Sequence, residues 1–168
     1  MVMSLLEHYE RSDGQGQDWY DRAHDFAAGL DPANPDRAAA IVAALSPQVQ
    51  WSVNQRLAQQ VYAHEGEVQE GCLGLSALKA WRLWNGERPE EVLGTRKTLH
   101  FYRAIIGDRT ATVLDTWMAQ AIGWPHNAYS PRQYERAGAA LTAAGGYTDL
   151  TTADFQAVVW THIRGGGD

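Results

Sequence analysis

The sequence predicts an all-α domain, and three observations carry that expectation. Apolar residues recur at helical spacing along most of the 168-residue chain. Proline, glycine and capping residues punctuate those stretches where helices start and stop. No segment alternates with period two between turn signals, as a half-buried strand would. A single compact multi-helix domain of about eight to ten helices follows, spanning residues 1–168 with 1–16 and 165–168 as flexible ends.

The elements follow in order. Trp19, Tyr20, Ala23, Phe26 and Ala27 form an apolar stripe on a helix over 17–29, ended at Gly29. Asn34-Pro35-Asp36 reads as an N-cap, a first-turn proline and a first-turn acid, opening a helix through the run Ala38 to Leu45. Ser46-Pro47 restarts the chain, with Ser46 as the cap of a helix over 47–63. After the polar stretch 66–71, the segment Leu73 to Trp84 is apolar on one side at Leu75, Leu78, Trp81, Leu83 and Trp84, and Asn85-Gly86 ends it. Pro89 to Leu93 makes a helical turn, and Thr95 caps a helix over 96–106 that stops at Gly107. Residues 113–122 form the next helix, closed by Gly123 and Pro125. Ser130-Pro131 opens a helix to Ala144, and Thr152 or Asp154 opens the last, to Arg164. Trp81, Trp84, Trp117 and Trp160 lie in apolar helical patterns and are expected in the core.

Composition narrows the function. The N-terminus has no basic n-region followed by a long apolar run, so it predicts no signal peptide and a cytoplasmic protein. No stretch approaches the ~20 apolar residues that span a bilayer, so no membrane partner is expected. The only cysteine, Cys72, excludes an intramolecular disulfide and a cysteine-held iron–sulfur cluster. The six histidines show no metal-ligand spacing, and no P-loop or G-x-S-x-G elbow is present, so neither metal nor cofactor is expected. The net charge of −6 argues against avid non-specific duplex binding. The charge is uneven, however. Arg82, Arg88, Arg96, Lys97, His100 and Arg103 gather centrally, and the acids concentrate in 7–36 and 65–70.

Two motifs carry chemistry. Lys97 opens one expected helix and Asp115 the next, eighteen residues on. A helix over 96–106 runs away from Lys97 by roughly 15 Å. The segment 107–114 then spans up to ~26 Å, so the chain can return and bring both residues to one end of an antiparallel pair. The positive end of a helix disfavours an ammonium and favours a carboxylate. On residue chemistry alone, Lys97 reads as a solvated surface lysine and Asp115 as a capping carboxylate.

Arg96-Lys97-Thr98 followed by Leu114-Asp115-Thr116-Trp117 resembles the G-R-K-T-A and V-D-T-H motifs of the helix-hairpin-helix DNA glycosylases of the endonuclease III type. Upstream, Ser46, Gln48, Val53 and Asn54 resemble the family segment L-S-x-Q-x-x-x-x-x-V-N, in the right order. The resemblance covers roughly residues 38 to 164. It implies a DNA partner, with Lys97 as an amine nucleophile of lyase chemistry and Asp115 as the carboxylate that supports departure of the base. It also implies that Gln48 fills the stack left by an expelled base. Trp51 would stack on a nucleotide and Asn54 would bond its edge, while Arg96, Thr116 and Trp117 complete the contacts.

The chain departs from the pattern in instructive places. Where the family has a glycine-rich L-P-G-V-G hairpin, this chain has Pro89-Glu90-Glu91-Val92-Leu93-Gly94-Thr95. Trp117 and Gln120 stand where the family often has His and Arg. A compact phage-type branch of the same superfamily, without an iron–sulfur cluster, installs amino-acid or amine groups on modified thymine and is similar in its reduced scaffold. The alternatives are therefore that transferase chemistry, or a helical nucleic-acid or protein interaction module without catalysis.

Overall fold

The computed structural model describes residues 1–124 and 129–165. Among the described residues every regular element is an α-helix. They are α1 (Val2–Glu10), α2 (Trp19–Leu30), α3 (Pro35–Leu45), α4 (Trp51–Ala63), α5 (Gly74–Trp84), α6 (Pro89–Val92), α7 (Lys97–Ile105), α8 (Thr116–Ala121), α9 (Pro131–Gly145) and α10 (Thr152–Ile163). None is long and apolar enough to cross a membrane. The chain, expected as one domain, divides into two compact units, Asp21–Gly107 and Met1–Tyr20 with Asp108–Asp168.

In the unit 21–107, α3 is the central helix. Every residue from Ala38 to Leu45 is buried, and α4, α5 and α7 each pack against it. The small side chains Ala38, Ala39, Ala40, Ala43 and Ala44 make that all-round burial possible, because they let neighbouring helices approach on several sides. The expected cap is present. The Asn34 side chain accepts from the Arg37 amide, with Pro35 in the first turn. The helix stops at Ser46, whose hydroxyl donates back to the Ala43 carbonyl at 2.9 Å. Ser46 therefore closes α3 and does not open α4. The next helix starts only at Trp51, because Gln48 takes a φ of +62° that no helix accommodates.

In the other unit, α9 and α10 form a pair on which α1 packs, and α8 rests against α10. Leu5, Leu114, Met118, Leu141, Phe155 and Val159 fill its core. Residues 2–10 are thus an integral helix rather than a flexible end, because Leu5 is fully buried. Ser130 and Gln133 complete a reciprocal capping box at the start of α9. Thr151 caps α10 by accepting from the Asp154 amide. Of the sequence's stops, Pro125 lies outside the described residues.

The tryptophans correct one expectation. Trp81 and Trp117 stand 48 % and 39 % exposed, and Trp84 and Trp160 are half-buried. On α5 the residues that face inward are Ser76, Ala80 and Leu83. The helix carries more large apolar side chains than that face holds, so Leu75, Leu78 and Trp81 are left outside.

Candidate active site

The expected site residues fall in both units, and each set has its own geometry. Asp115, Thr116 and Trp117 belong to the unit built from both ends of the chain, and Gln48, Trp51, Asn54, Arg96 and Lys97 to the unit 21–107.

The approach to Asp115 is extended, not helical, and the helix expected from 113 begins at Thr116. Long-range bonds hold it so. The buried Gln156 of α10 accepts from the Val113 amide at 2.8 Å and donates to the Val113 carbonyl at 2.6 Å, as a neighbouring strand would. The Tyr134 hydroxyl of α9 donates to the Thr112 carbonyl at 2.6 Å. Arg109 forms an ion pair with Asp154 at 3.1 Å, and its carbonyl accepts from the Ala153 amide. Gly138 brings α9 close enough that a Cβ there would stand 3.3 Å from Thr112 Oγ1. With its backbone groups used this way, the segment cannot coil into the i→i+4 pattern.

Asp115 ends this extended run as the N-cap of α8. Its Oδ1 accepts from the Met118 amide at 2.9 Å. Its Oδ2 accepts from the Trp160 indole N–H, also at 2.9 Å. The carboxylate is only half-buried, so it is held by two donors and still reaches the surface. Both donors are N–H groups, one of them in the first turn of a helix, and both favour negative charge.

Aromatic rings surround it. Trp160 meets Trp19 edge-on at 5.6 Å, and Trp19 meets Tyr20 at 5.1 Å. The guanidinium of Arg164 lies 4.4 Å from the Trp160 ring and 6.0 Å from that of Trp117. The Tyr129 hydroxyl donates to the Asp115 carbonyl at 3.4 Å. The phenols report the field of this site. Burial pushes both Tyr20 and Tyr129 far above the ordinary tyrosine range, and the Asp115 charge adds to the effect. These rings therefore stay neutral phenols. Thr116 and Trp117 are exposed beside the carboxylate. Trp19, Tyr20, Tyr129 and Trp160 were not among the expected site residues. Trp160 and Arg164 lie four residues apart on the last helical turns, the one local signal of a shared face.

In the unit 21–107, Lys97 is the first residue of α7 and half-buried. Its predecessor Arg96 is exposed and occupies the N-cap position, where Thr95 was expected. Ahead of it stands the short α6, then a connection over 93–96 in which Gly94 takes a φ of +79°. A helix, a tight connection and a second helix are thus present in order. Glu90 and Glu91 are exposed on the first of them. Gln48 is exposed and holds its left-handed conformation without the glycine or asparagine that usually takes it. Trp51 packs edge-on against Phe26 at 5.7 Å and is half-buried. Asn54 is only 2 % exposed. Its side chain, expected to bond a nucleotide edge, is packed inside this unit. Its Oδ1 has no hydrogen-bond partner among the described residues. No group of three or more metal-ligating side chains occurs among the described residues.

The chain matches the model of a family of unknown function, DUF7178, over residues 3–167, and belongs to that family. No curated protein and no solved structure matches it.

Proposed function

We propose that the chain acts on a nucleobase in DNA in the manner of a glycosylase, with Asp115 supplying the charge the reaction needs. The observation that carries this reading is the way Asp115 is held: one oxygen on the Met118 amide, the other on the Trp160 indole, with the residue still partly exposed. When a base leaves, the C1′–N bond breaks and its electron pair departs on the base. Positive charge then develops on C1′ and the ring oxygen. A carboxylate already fixed by two donors stabilises that charge without reorganising, which is where most of such catalysis resides.

The neighbouring groups support the same reading. Exposed Trp117, beside the Arg164 guanidinium, offers a face on which an extruded base can stack. Exposed Gln48, held at a strained left-handed conformation on a loop, suits a side chain that replaces a base in the duplex. In the lyase version of the reaction the Lys97 nitrogen bonds to C1′ as the C1′–N bond to the base breaks, and the departing base takes up the proton that the amine loses. The C1′–O4′ bond then opens, O4′ is protonated, and a C=N bond forms between C1′ and the lysine nitrogen.

One observation favours the thymine-modifying alternative. Glu90 and Glu91 are exposed immediately before the α6–α7 connection, where a glycosylase grips phosphate through its hairpin. A weak grip suits a reaction in which an amine displaces a leaving group on the base methylene and the sugar bond stays intact.

Borohydride trapping separates these cases. The full chain and its Lys97→Ala and Asp115→Asn variants are incubated with duplexes that carry an abasic site or a modified thymine, and the products are resolved by mass. A trapped adduct that disappears in Lys97→Ala supports the lyase. A mass increase on thymine with the sugar bond intact, in the presence of an amino acid or amine, supports the transferase. Asp115→Asn should lose about 100-fold or more of turnover in either case, with helical circular dichroism unchanged. Full activity in that variant would reduce Asp115 to a helix cap, and absence of both binding and product would leave an interaction module.

A further inference from the structure

Helix α5 packs against α3 through Ser76, Ala80 and Leu83. Its opposite face is apolar and uncovered. Leu75, Leu78 and Trp81 retain 67, 53 and 48 % of their surface, and Leu73, just before the helix, retains 47 %. Residues 75, 78 and 81 follow one another at three-residue intervals and form a continuous stripe. Isolated exposed leucines need no explanation, but a stripe of three large apolar side chains with a fourth at its end does. Together they present roughly 400 Å² of apolar surface, in the range of the largest patch on a folded chain, which is often functional.

We infer that this face of α5 is the contact between two copies of the chain, packed antiparallel about a two-fold axis near Leu78. The area suits that occupant. A standard interface buries about 800 Å² per partner, of which about 65 % is apolar in homodimers. The stripe therefore supplies most of the apolar core that such a dimer needs. The shape suits it as well. An axis at Leu78 sets each residue n positions after it against the residue n positions before it. Trp81 then lies over Leu75 and Gly74 of the other copy. Gly74 is open, since a Cβ there would meet nothing within 4 Å. The bulky end of the stripe thus meets its thin end, as an isologous contact requires.

The charges disfavour an anionic lipid surface as the occupant. Lys79 and Arg82 are the helix's only cations, and Arg82 is already paired with Glu87. Glu87, Glu90 and Glu91 are exposed just beyond its C-terminal end. An interfacial membrane helix needs a predominantly basic rim instead.

The test measures the mass of the full chain by sedimentation velocity between low and high micromolar concentration. A concentration-dependent dimer is expected, and Leu78→Glu should weaken it about 100-fold or more, with circular dichroism unchanged and with the melting temperature unchanged at concentrations where both chains are monomeric. A second variant guards against misfolding. In a Cys72→Ser background, Leu78→Cys should form a disulfide-linked dimer on mild oxidation, and Met3→Cys, an exposed site on α1, should not. A chain that stays monomeric throughout, or a dimer indifferent to both Leu78 variants, would overturn the inference. So would Leu78-dependent pelleting of a monomer with phosphatidylcholine–phosphatidylserine vesicles. None of these outcomes depends on whether Asp115 is catalytic.

Discussion

Asp31→Asn is the substitution whose cost the geometry defines most closely. Asp31 is 7 % exposed. Its Oδ2 accepts from Arg37 Nε at 3.0 Å, Arg37 Nη2 at 2.7 Å and the Tyr62 hydroxyl at 3.1 Å. Its Oδ1 accepts from the Asn34 amide at 3.0 Å. Arg37 in turn stacks on Trp84 at 5.0 Å, and Tyr62 meets that ring edge-on at 5.1 Å. An asparagine keeps the shape but must turn its NH₂ toward either Arg37 or the Asn34 amide, donor against donor. Breaking a buried ion pair costs about 3–5 kcal/mol. The Arg37 side chain is 33 % exposed, and water there recovers part of its solvation. We therefore expect a loss of about 2–3 kcal/mol.

Urea unfolding at neutral pH measures that loss, and a cycle with Arg37→Met, which keeps the stem against Trp84, isolates the pair. The pH dependence provides a second readout. Burial alone would raise the Asp31 carboxyl, but the bonds from Arg37 and Tyr62 outweigh it and hold it below the ordinary range. The unfolded chain therefore takes up this proton first. The stabilisation is complete above about pH 4 and is lost as pH falls through the folded-state value. That part of the acid limb should be missing in Asp31→Asn. A coupling energy below about 0.5 kcal/mol, the range of exposed pairs, would refute the reasoning.

Two further predictions rest on the other unit. Burial lowers the His8 pKa below its ordinary value, and the charges of His162 and Arg11 lower it further against a smaller opposing effect of Glu7. The unfolded state then binds that proton more readily, so stability should decline as pH falls through about 6.5. His8→Gln should flatten this decline in thermal melts taken across pH 5–8, and an unchanged slope would assign it elsewhere. Gly16→Ala should cost about 3 kcal/mol in urea unfolding, with about 1–2 from the left-handed conformation alone. Gly16 has a φ of +88°, and an added Cβ would stand 2.2 Å from Thr161 Oγ1. Thr161→Ala in the same chain removes Oγ1 and leaves the Thr161 Cβ, 2.8 Å from the added atom, so it should recover part of the loss, and no recovery would mean that the hydroxyl does not set the cost.

The features legible in the amino-acid order are those whose causes lie within a few residues. Asn34-Pro35 and Ser130-Pro131 mark helix starts because the capping oxygen and the amide it satisfies are close neighbours, whereas the last helix, expected to open at Thr152 or Asp154, is capped by Thr151. The all-helical class follows from the same local periodicity. Asp115 as the capping carboxylate of α8 was legible for this reason too. Tertiary structure decided the rest. Trp160 binds Asp115 from 45 residues away, and Gln156 straightens residue 113 from 43 away. It also left Trp81 and Trp117 on the surface and drew Leu5 and Asn54 inside. A helical pattern states which residues share a face. Whether a neighbour covers that face depends on contacts made far along the chain, and only the packed structure brings those contacts together.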